Sequence, residues 1–167
     1  MNDRLVVRPA RPDELDEVGR LTVEVYVAGG HAKPAGTYAA ELADAAWRAR
    51  DAELLVAVDA GGTVLGTITV CLPGSPVADM SRPGELEFRM LAVARDARRR
   101  GVGEALVKSV LRRAAEIGAH SVVLCSAQGM HAAHRLYARL GFRRLPERDW
   151  EPVPGMTLLA FGARPGS

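Results

Sequence analysis

The sequence has few cysteines, few aromatic residues and no long apolar run. Its 167 residues contain two cysteines, and no His/Cys cluster has the spacing of metal ligands, so neither a disulfide scaffold nor a metal site is predicted. Cys71 and Cys125 lie in apolar runs and are predicted to be reduced, buried side chains. No run approaches the length of a membrane span, and the N-terminus lacks the apolar core of a signal peptide. The cytoplasm is therefore the expected location.

The sequence also lacks an excess of charge of one sign. It has 22 basic and 20 acidic residues, a net charge of +2. A general polyanion-binding surface is not indicated, so we predict neither a nucleic-acid partner nor a membrane partner. The length suits a single domain, residues 1–167, that can bury a core without metal or disulfide staples.

The stretch from Glu85 to Gly103 is the most informative part of the chain. An apolar strand gives way to a basic turn, and the turn leads into an amphipathic helix predicted over 102–117. Glycines at 101 and 103 leave backbone N–H groups at the helix start open to an anion. The turn also supplies positive charge and bidentate donors from Arg98, Arg99 and Arg100. This pattern predicts a diphosphate site, although a strand–helix connection with solvated arginines would have the same sequence.

The other hydrophobic patterns predict a mixed α/β fold. Strands are predicted at 5–8, 53–59, 63–72, 85–93, 121–126, 142–145 and 156–161, and helices at 12–25, 38–50, 102–117 and 130–140. Thr37 is a candidate N-cap, the segment 73–84 is predicted as a loop, and 146–155 as a long rigid linker. This order gives a central mixed sheet of about seven strands with helices on both faces, in which the strand at 121–126 runs parallel to the strand at 85–93.

Two separated motifs resemble those of the GNAT superfamily of acyl-coenzyme A N-acyltransferases. Arg98-x-x-Gly101-x-Gly103 is similar to the family's Gln/Arg-x-x-Gly-x-Gly/Ala signature, and it follows a matching strand. The segment 133–142 is similar to the family's A-x-x-L-Y-x-x-L-G-F ending. Two motifs in the right order are more specific than either alone. The resemblance covers 85–142 closely and implies a single GNAT-like domain with splayed central parallel strands.

The resemblance also implies the cofactor, acetyl-coenzyme A, and the residues that hold it. In the family, the strand before the basic turn pairs its backbone with the pantetheine arm, and one N–H, here near Ala92, polarises the thioester carbonyl. Met130 stands where the family often has an asparagine that touches that arm, so one cofactor contact is in doubt. The implied cofactor contacts are Leu91, Ala92, Val93, Arg98, Arg99, Arg100, Gly101, Val102, Gly103, Glu104, Met130 and Ala133.

Acyl transfer to an amine needs a base, a polarised carbonyl and a proton for the departing thiolate. Glu87 lies six residues before Val93, where family members that use a strand glutamate carry it, and is the candidate base. Its alternative is a structural carboxylate that pairs with Arg89 or faces solvent. Tyr137 occupies the family's tyrosine position, whose hydroxyl by resemblance reaches the coenzyme A sulfur, and is the candidate acid. Its alternative is a core aromatic residue.

The acceptor is predicted only as a small-molecule or peptide amine. By resemblance the first two helices wall its site, with weak candidate contacts at Tyr26, His31, Tyr38, Arg89 and Trp150. Arg89 could bind an acceptor carboxylate or neutralise Glu87. Members of the superfamily are often dimers, so the question of whether this chain forms a homodimer is left open.

Three other interpretations of the site are weighed against direct acetyl transfer. A non-catalytic acyl-coenzyme A sensor is the alternative from another class of protein. A covalent route through Cys125 is also open. A nucleotide-binding domain is disfavoured because neither Gly-x-Gly-x-x-Gly nor a P-loop is present.

Overall fold

A single mixed sheet forms the centre of the molecule. The computed structural model describes residues 4–166. The strands are β1 (Val6–Pro9), β2 (Glu53–Val58), β3 (Val64–Cys71), β4 (Glu85–Val93), β5 (Ser121–Ala127), β6 (Arg143–Arg144), β7 (Trp150–Val153) and β8 (Met156–Ala163). The helices are α1 (Leu15–Ala28), α2 (Thr37–Ala43), α3 (Ala45–Asp51), α4 (Val102–Ile117) and α5 (His131–Arg139). None of the helices within residues 4–166 has the length and apolar character needed to cross a membrane.

The strand order places β4 and β5 side by side near the middle of the sheet. The order is β1-β2-β3-β4-β5-β8-β6, with β7 paired to β8. β4 and β5 run parallel, and the other pairs of this sheet are antiparallel. A parallel pair needs a crossover connection, and α4 supplies it. The mixed α/β fold with splayed central strands that the resemblance implied is confirmed.

Helices cover both faces of this sheet. The main core packs α4 and α5 on one face, through Leu106 and Val110 of α4 and Tyr137 of α5. On the other face, Val18 of α1 and Ala45 of α3 pack against β2 and β3. Side chains on a strand alternate between the faces, so neighbouring residues of β4 contribute to different layers. Leu86 and Phe88 belong to the main core, whereas Glu87 and Arg89 face the other side.

The predicted second helix is divided in two. α2 ends at Ala43, and the Asp44 side chain accepts a hydrogen bond (3.1 Å) from the backbone N–H of Trp47 to begin α3. Asp competes well for free N–H groups at a helix start, which explains the break in an otherwise continuous helical pattern. Gly36 occupies the N-cap position of α2 and Thr37 is its first helical residue, so the capping role predicted for Thr37 is wrong.

The predicted linker at 146–155 contains a strand. Residues 150–153 form β7, which pairs with β8 across a turn at Gly155. The sheet therefore has eight strands rather than about seven. Two prolines and low hydrophobicity hid β7 in the sequence, and all of its residues are exposed, as expected of an edge strand that tolerates Pro152.

Candidate active site

The candidate site lies where β4 and β5 separate. Their parallel ladder pairs Glu85–Glu87 with Ser121–Val123 and extends no further, although β4 continues to Val93 and β5 to Ala127. Beyond the last pair, the backbone groups of each strand that point towards the other have no ladder partner. A cleft with open peptide groups on both walls can pair with an extended amide-containing ligand as a further strand would.

A bulge in β4 sets the direction of its last residues. Met90 adopts a positive φ of 55°, and the register with β3 shifts at this point. After the bulge, the Ala94 N–H donates to the Leu65 carbonyl (2.8 Å) on β3. Because peptide groups alternate sides along a strand, Ala92 also faces β3, and Leu91 and Val93 face the cleft. The open N–H near Ala92 that the resemblance implied is thus that of Leu91 or Val93.

The basic turn presents several backbone N–H groups at the start of α4. Arg99 and Gly101 both adopt left-handed conformations, with φ of 67° and 74°. A non-glycine residue with positive φ is strained, and such strain is often kept at ligand sites. The first α4 bond runs from Ala105 N–H to the Gly101 carbonyl, and no side chain caps the helix. The N–H groups of 102–104 therefore lack helix partners and lie at the positive end of the helix, an arrangement that suits an anion.

The side chains of this turn and helix start have different roles. Arg98 and Arg99 are exposed. A Cβ at Gly103 would lie 3.1 Å from Leu136, so this glycine allows α5 to approach α4. Val102 is buried in the core, and the Glu104 carboxylate pairs with Lys108 and Arg139, each at 3.3 Å. Val102 and Glu104 can therefore contribute to anion binding through their backbone N–H groups.

Tyr137 projects from α5 into a cluster of aromatic rings. It packs against Phe88 of β4 at 5.7 Å between ring centroids, and against Phe142 and Phe161 at 5.8 and 5.7 Å. Burial raises its pKa, so the phenol stays neutral over the physiological range. Within residues 4–166 its hydroxyl has no hydrogen-bond partner. A neutral, unpaired phenol can donate its proton to a ligand atom.

The start of α5 lies against the end of β5, beside the cleft. Met130 precedes the helix, and its sulfur accepts a long hydrogen bond from the Ser126 hydroxyl (3.5 Å) on β5. His134 approaches the same hydroxyl at 3.1 Å. Ala133 packs against the main core. The position that holds an asparagine in many family members is thus filled by a thioether that contacts the protein itself.

Both carboxylate oxygens of Glu87 accept hydrogen bonds from the protein backbone. Its side chain is fully buried, and it accepts hydrogen bonds from three consecutive backbone N–H groups in the 73–84 loop. Asp79 donates to both oxygens (3.1 Å each), and Met80 and Ser81 donate to one of them at 3.0 and 2.9 Å. It neither pairs with Arg89 nor points to solvent, as the structural alternative had supposed. The Glu87 side chain thus helps to hold the loop against β4.

Arg89 is engaged by carboxylates other than Glu87. Its guanidinium contacts Asp79 at 3.1 Å and Glu41 of α2 at 3.2 Å, and it donates to the Val77 carbonyl at 2.9 Å. The two carboxylates favour its charged form. The expectation that Arg89 could neutralise Glu87 is therefore wrong. Arg89 fastens the loop and α2 to the strand.

The other predicted acceptor contacts surround the face of the cleft opposite α5. Tyr26 of α1 and Tyr38 of α2 pack edge to face at 6.1 Å, and burial raises the pKa of both. His31 lies beside Gly129 at the end of β5. Trp150 is partly exposed and close to Cys125, whose thiol pKa burial raises to about 11. A protonated thiol is a poor nucleophile, so the covalent route through Cys125 is disfavoured.

Comparison with known proteins agrees with this geometry. Residues 20–142 match the model of the Acetyltransferase (GNAT) family, and the chain belongs to that family. A GCN5-related N-acetyltransferase from Kribbella flavida has a similar structure, with a TM-score of 0.72 and 28% identity, over 96% of this chain and 97% of that one.

Curated relatives match over part of their length. N-acetylaspartate synthetase of Danio rerio is 37% identical over 83 residues, which are 48% of this chain and 29% of that protein. Mycothiol acetyltransferase of Pseudarthrobacter chlorophenolicus is 37% identical over 94 residues, 56% of this chain and 28% of its own. The chain thus spans less than a third of these two relatives. The names of these two relatives differ from each other.

Sequence reasoning missed the two carboxylates on the acceptor side, Glu41 and Asp79. Asp79 lies in a loop whose prolines and glycines predict only a turn, and Glu41 is one of many acids on a predicted helix. Neither has a local pattern that indicates a site, because their proximity arises from the way the loop folds back over β4. Within the described residues, no group of three or more His, Cys, Asp or Glu is arranged to hold a metal ion.

Proposed function

We propose that this chain transfers an acetyl group from acetyl-coenzyme A to a primary amine by direct attack in a ternary complex. The observation that carries the proposal is the cleft between β4 and β5, which has open peptide groups on both walls and the basic turn at its end. Residues 1–167 are proposed to form one such domain. The cytoplasmic location stays a prediction, as does a homodimer.

The cofactor site we propose uses backbone more than side chains. The N–H groups of 102–104, with Arg98 and Arg99 beside them, would hold the diphosphate. Leu91 and Val93 would pair with the pantetheine amides. The open Leu91 or Val93 N–H would donate to the thioester oxygen, where negative charge develops as the amine attacks. The bound thioester supplies the activated acetyl group.

Tyr137 is proposed as the general acid. Its phenol is neutral and has no protein partner within the described residues, so its proton is available for the leaving thiolate. The aromatic rings around it fix the position of its ring. The covalent route would require Cys125 as a thiolate, and burial opposes that form.

Glu87 as the base stays a prediction, and its contacts limit how it could act. A buried carboxylate that accepts four hydrogen bonds could receive a proton from the amine only through a water molecule. The same contacts support a positioning role: Glu87 holds the 79–81 loop, and that loop carries Asp79 to Arg89 on the acceptor wall.

The experiment that tests the proposal is release of free thiol from acetyl-coenzyme A in the presence of a panel of amines. The panel should include peptide N-termini, lysine, amino acids and polyamines. We expect thiol release that depends on one class of amine, with the acetylated amine found by mass spectrometry. Binding of acetyl-coenzyme A without release for any amine would favour the non-catalytic sensor. Absence of acetyl-coenzyme A binding would overturn both the acetyltransferase and the sensor interpretation.

A further inference from the structure

A second cavity lies away from the proposed cofactor site. It has a volume of about 670 Å³ and opens where β4 and β5 begin, beside β6 and β8. Such a volume suits a metabolite-sized ligand. Its charged lining consists of four arginines and two glutamates, Arg82, Arg143, Arg148, Arg164, Glu85 and Glu147.

The lining has a net charge of +2, four positive less two negative. Within the described part of the chain, the guanidinium groups of Arg82 and Arg143 form no hydrogen bond or ion pair. Both are exposed at the cavity, where they can reach a bound anion.

A nearly buried ion pair forms the floor of the cavity. Arg148 and Glu85 form a bidentate pair at 2.8 and 2.9 Å, and their side chains are only 8% and 9% exposed. Arg148 also donates to the Met80 carbonyl (2.8 Å), so the pair ties the turn after β6 to the 73–84 loop. Because this pair is neutral, the charge that a ligand meets comes from the rim arginines.

We propose that this cavity binds a small anion carrying two or more negative charges, either a phosphate ester or a polycarboxylate, as a site separate from catalysis. Arginine is the side chain best suited to hold either group, since its planar donors match both phosphate and carboxylate oxygens. Arg82 and Arg143 are the ligand-binding residues, and the Arg82 backbone N–H donates to the Glu85 carboxylate of the ion pair (2.8 Å). The inference does not depend on the proposed acetyl transfer.

This cavity is distinct from the diphosphate turn. Glu85 begins β4 and the turn follows its last residue, so the two sites lie at opposite ends of a nine-residue strand, roughly 25 Å apart. The cavity does share the 73–84 loop with the acceptor wall. Arg82 lies three residues after Asp79, which contacts Arg89. An anion held by Arg82 would therefore restrain the loop that Glu87 anchors, and so influence the acceptor side.

The test is calorimetric titration with pyrophosphate and with citrate as probes. Each titration is done without coenzyme A and again with a saturating amount, so that pyrophosphate at the basic turn is recognised by competition. The variants are Arg82→Gln and Arg143→Gln, and the matched control is Arg112→Gln, an exposed arginine of α4 outside the cavity. Hydrogen exchange at residues 79–82 reports on the loop.

We expect one probe to bind in the presence of coenzyme A, about tenfold more weakly in each cavity variant and unchanged in the control. Tighter binding of pyrophosphate identifies a phosphate ester, and tighter binding of citrate a polycarboxylate. Exchange at 79–82 should slow when the probe is bound. No heat from either probe at roughly 10 mM would overturn the proposal, as would binding that both cavity variants leave unchanged. Failure of coenzyme A to bind would overturn the acetyl-transfer proposal alone.

Discussion

At the scale of single residues, the catalytic proposal depends most on one hydroxyl. Tyr137 is surrounded by hydrocarbon, so its ring packs like a core residue while its oxygen lacks a partner within residues 4–166. The two interpretations of Tyr137, core aromatic and proton donor, are therefore not exclusive, and removal of the oxygen alone separates them.

The Tyr137→Phe variant should lower kcat by about a hundredfold and change the KM for acetyl-coenzyme A by less than about twofold. The ring contacts remain, so the melting temperature should not fall. Because burial raises its pKa, the phenol stays protonated throughout the usual assay range, and Tyr137 should cause no alkaline fall in the wild-type rate below about pH 10. Steady-state kinetics over a pH series checks both points. An unchanged kcat would remove Tyr137 from the mechanism.

A second residue-scale prediction concerns the pH dependence of stability. Glu14 receives two bonds from Arg8 (2.8 Å each) and one from the Arg11 N–H (2.8 Å), and the Arg8 hydrogen bond is the main reason that its pKa falls from 4.5 to about 2. A depressed carboxyl pKa stabilises the folded state fully above about pH 4.5, and that contribution disappears as the pH falls towards 2.

We therefore expect Glu14→Gln to lower the melting temperature by about 2–5 °C at pH 7 and by much less near pH 2. Thermal unfolding followed by circular dichroism gives the comparison. Glu17→Gln, which alters an exposed acid in the first turn of α1, three residues after Glu14, is the control and should behave as wild type at both pH values. An equal loss for Glu14→Gln at pH 7 and pH 2 would contradict the linkage.

At the scale of elements, the motifs predicted their own surroundings well and distant contacts poorly. Arg98, Gly101 and Gly103 were found from sequence because a strand, a turn and a helix start are neighbours along the chain. The environment of Glu87 could not be found in that way, since its donors come from a loop that returns to β4 through tertiary folding. The helix break at Asp44 lies between these two cases. The capping residue is a local signal, but the continuous apolar pattern of the segment masked it.

The 73–84 loop yields an element-scale prediction. In Glu87→Gln one oxygen becomes an amide NH₂, which cannot accept the N–H bonds that hold residues 79–81. We expect faster hydrogen exchange at 79–81 and a fall of about tenfold in kcat/KM for the amine, with an unchanged KM for acetyl-coenzyme A and a retained acidic limb in the pH–rate profile. Loss of that limb with unchanged exchange would instead identify Glu87 as the base.

At the scale of the whole molecule, the sheet determines what the cleft can bind. The fold was predictable because element order and two motifs restrict the topology strongly, and the family match covers residues 20–142. The acceptor was not predictable, because the wall proposed for its site combines side chains from α1, α2, β4 and the 73–84 loop, which are far apart in sequence.

The cofactor end should therefore control the stability of the whole molecule when ligand is present. At coenzyme A concentrations of about 100 times Kd, binding to the folded state alone contributes about 2.7 kcal/mol, which for a protein of this size raises the melting temperature by roughly 5–10 °C.

The increase in melting temperature should be smaller in Arg98→Gln and Arg99→Gln at the same ligand concentration, because each variant loses a charge beside the turn. It should be unaltered in Arg112→Gln, whose side chain lies on α4 away from that turn. Differential scanning fluorimetry across a coenzyme A series measures all four proteins together. A wild-type melting temperature that does not respond to coenzyme A, or equal shifts in all three variants, would show that the basic turn does not hold the diphosphate.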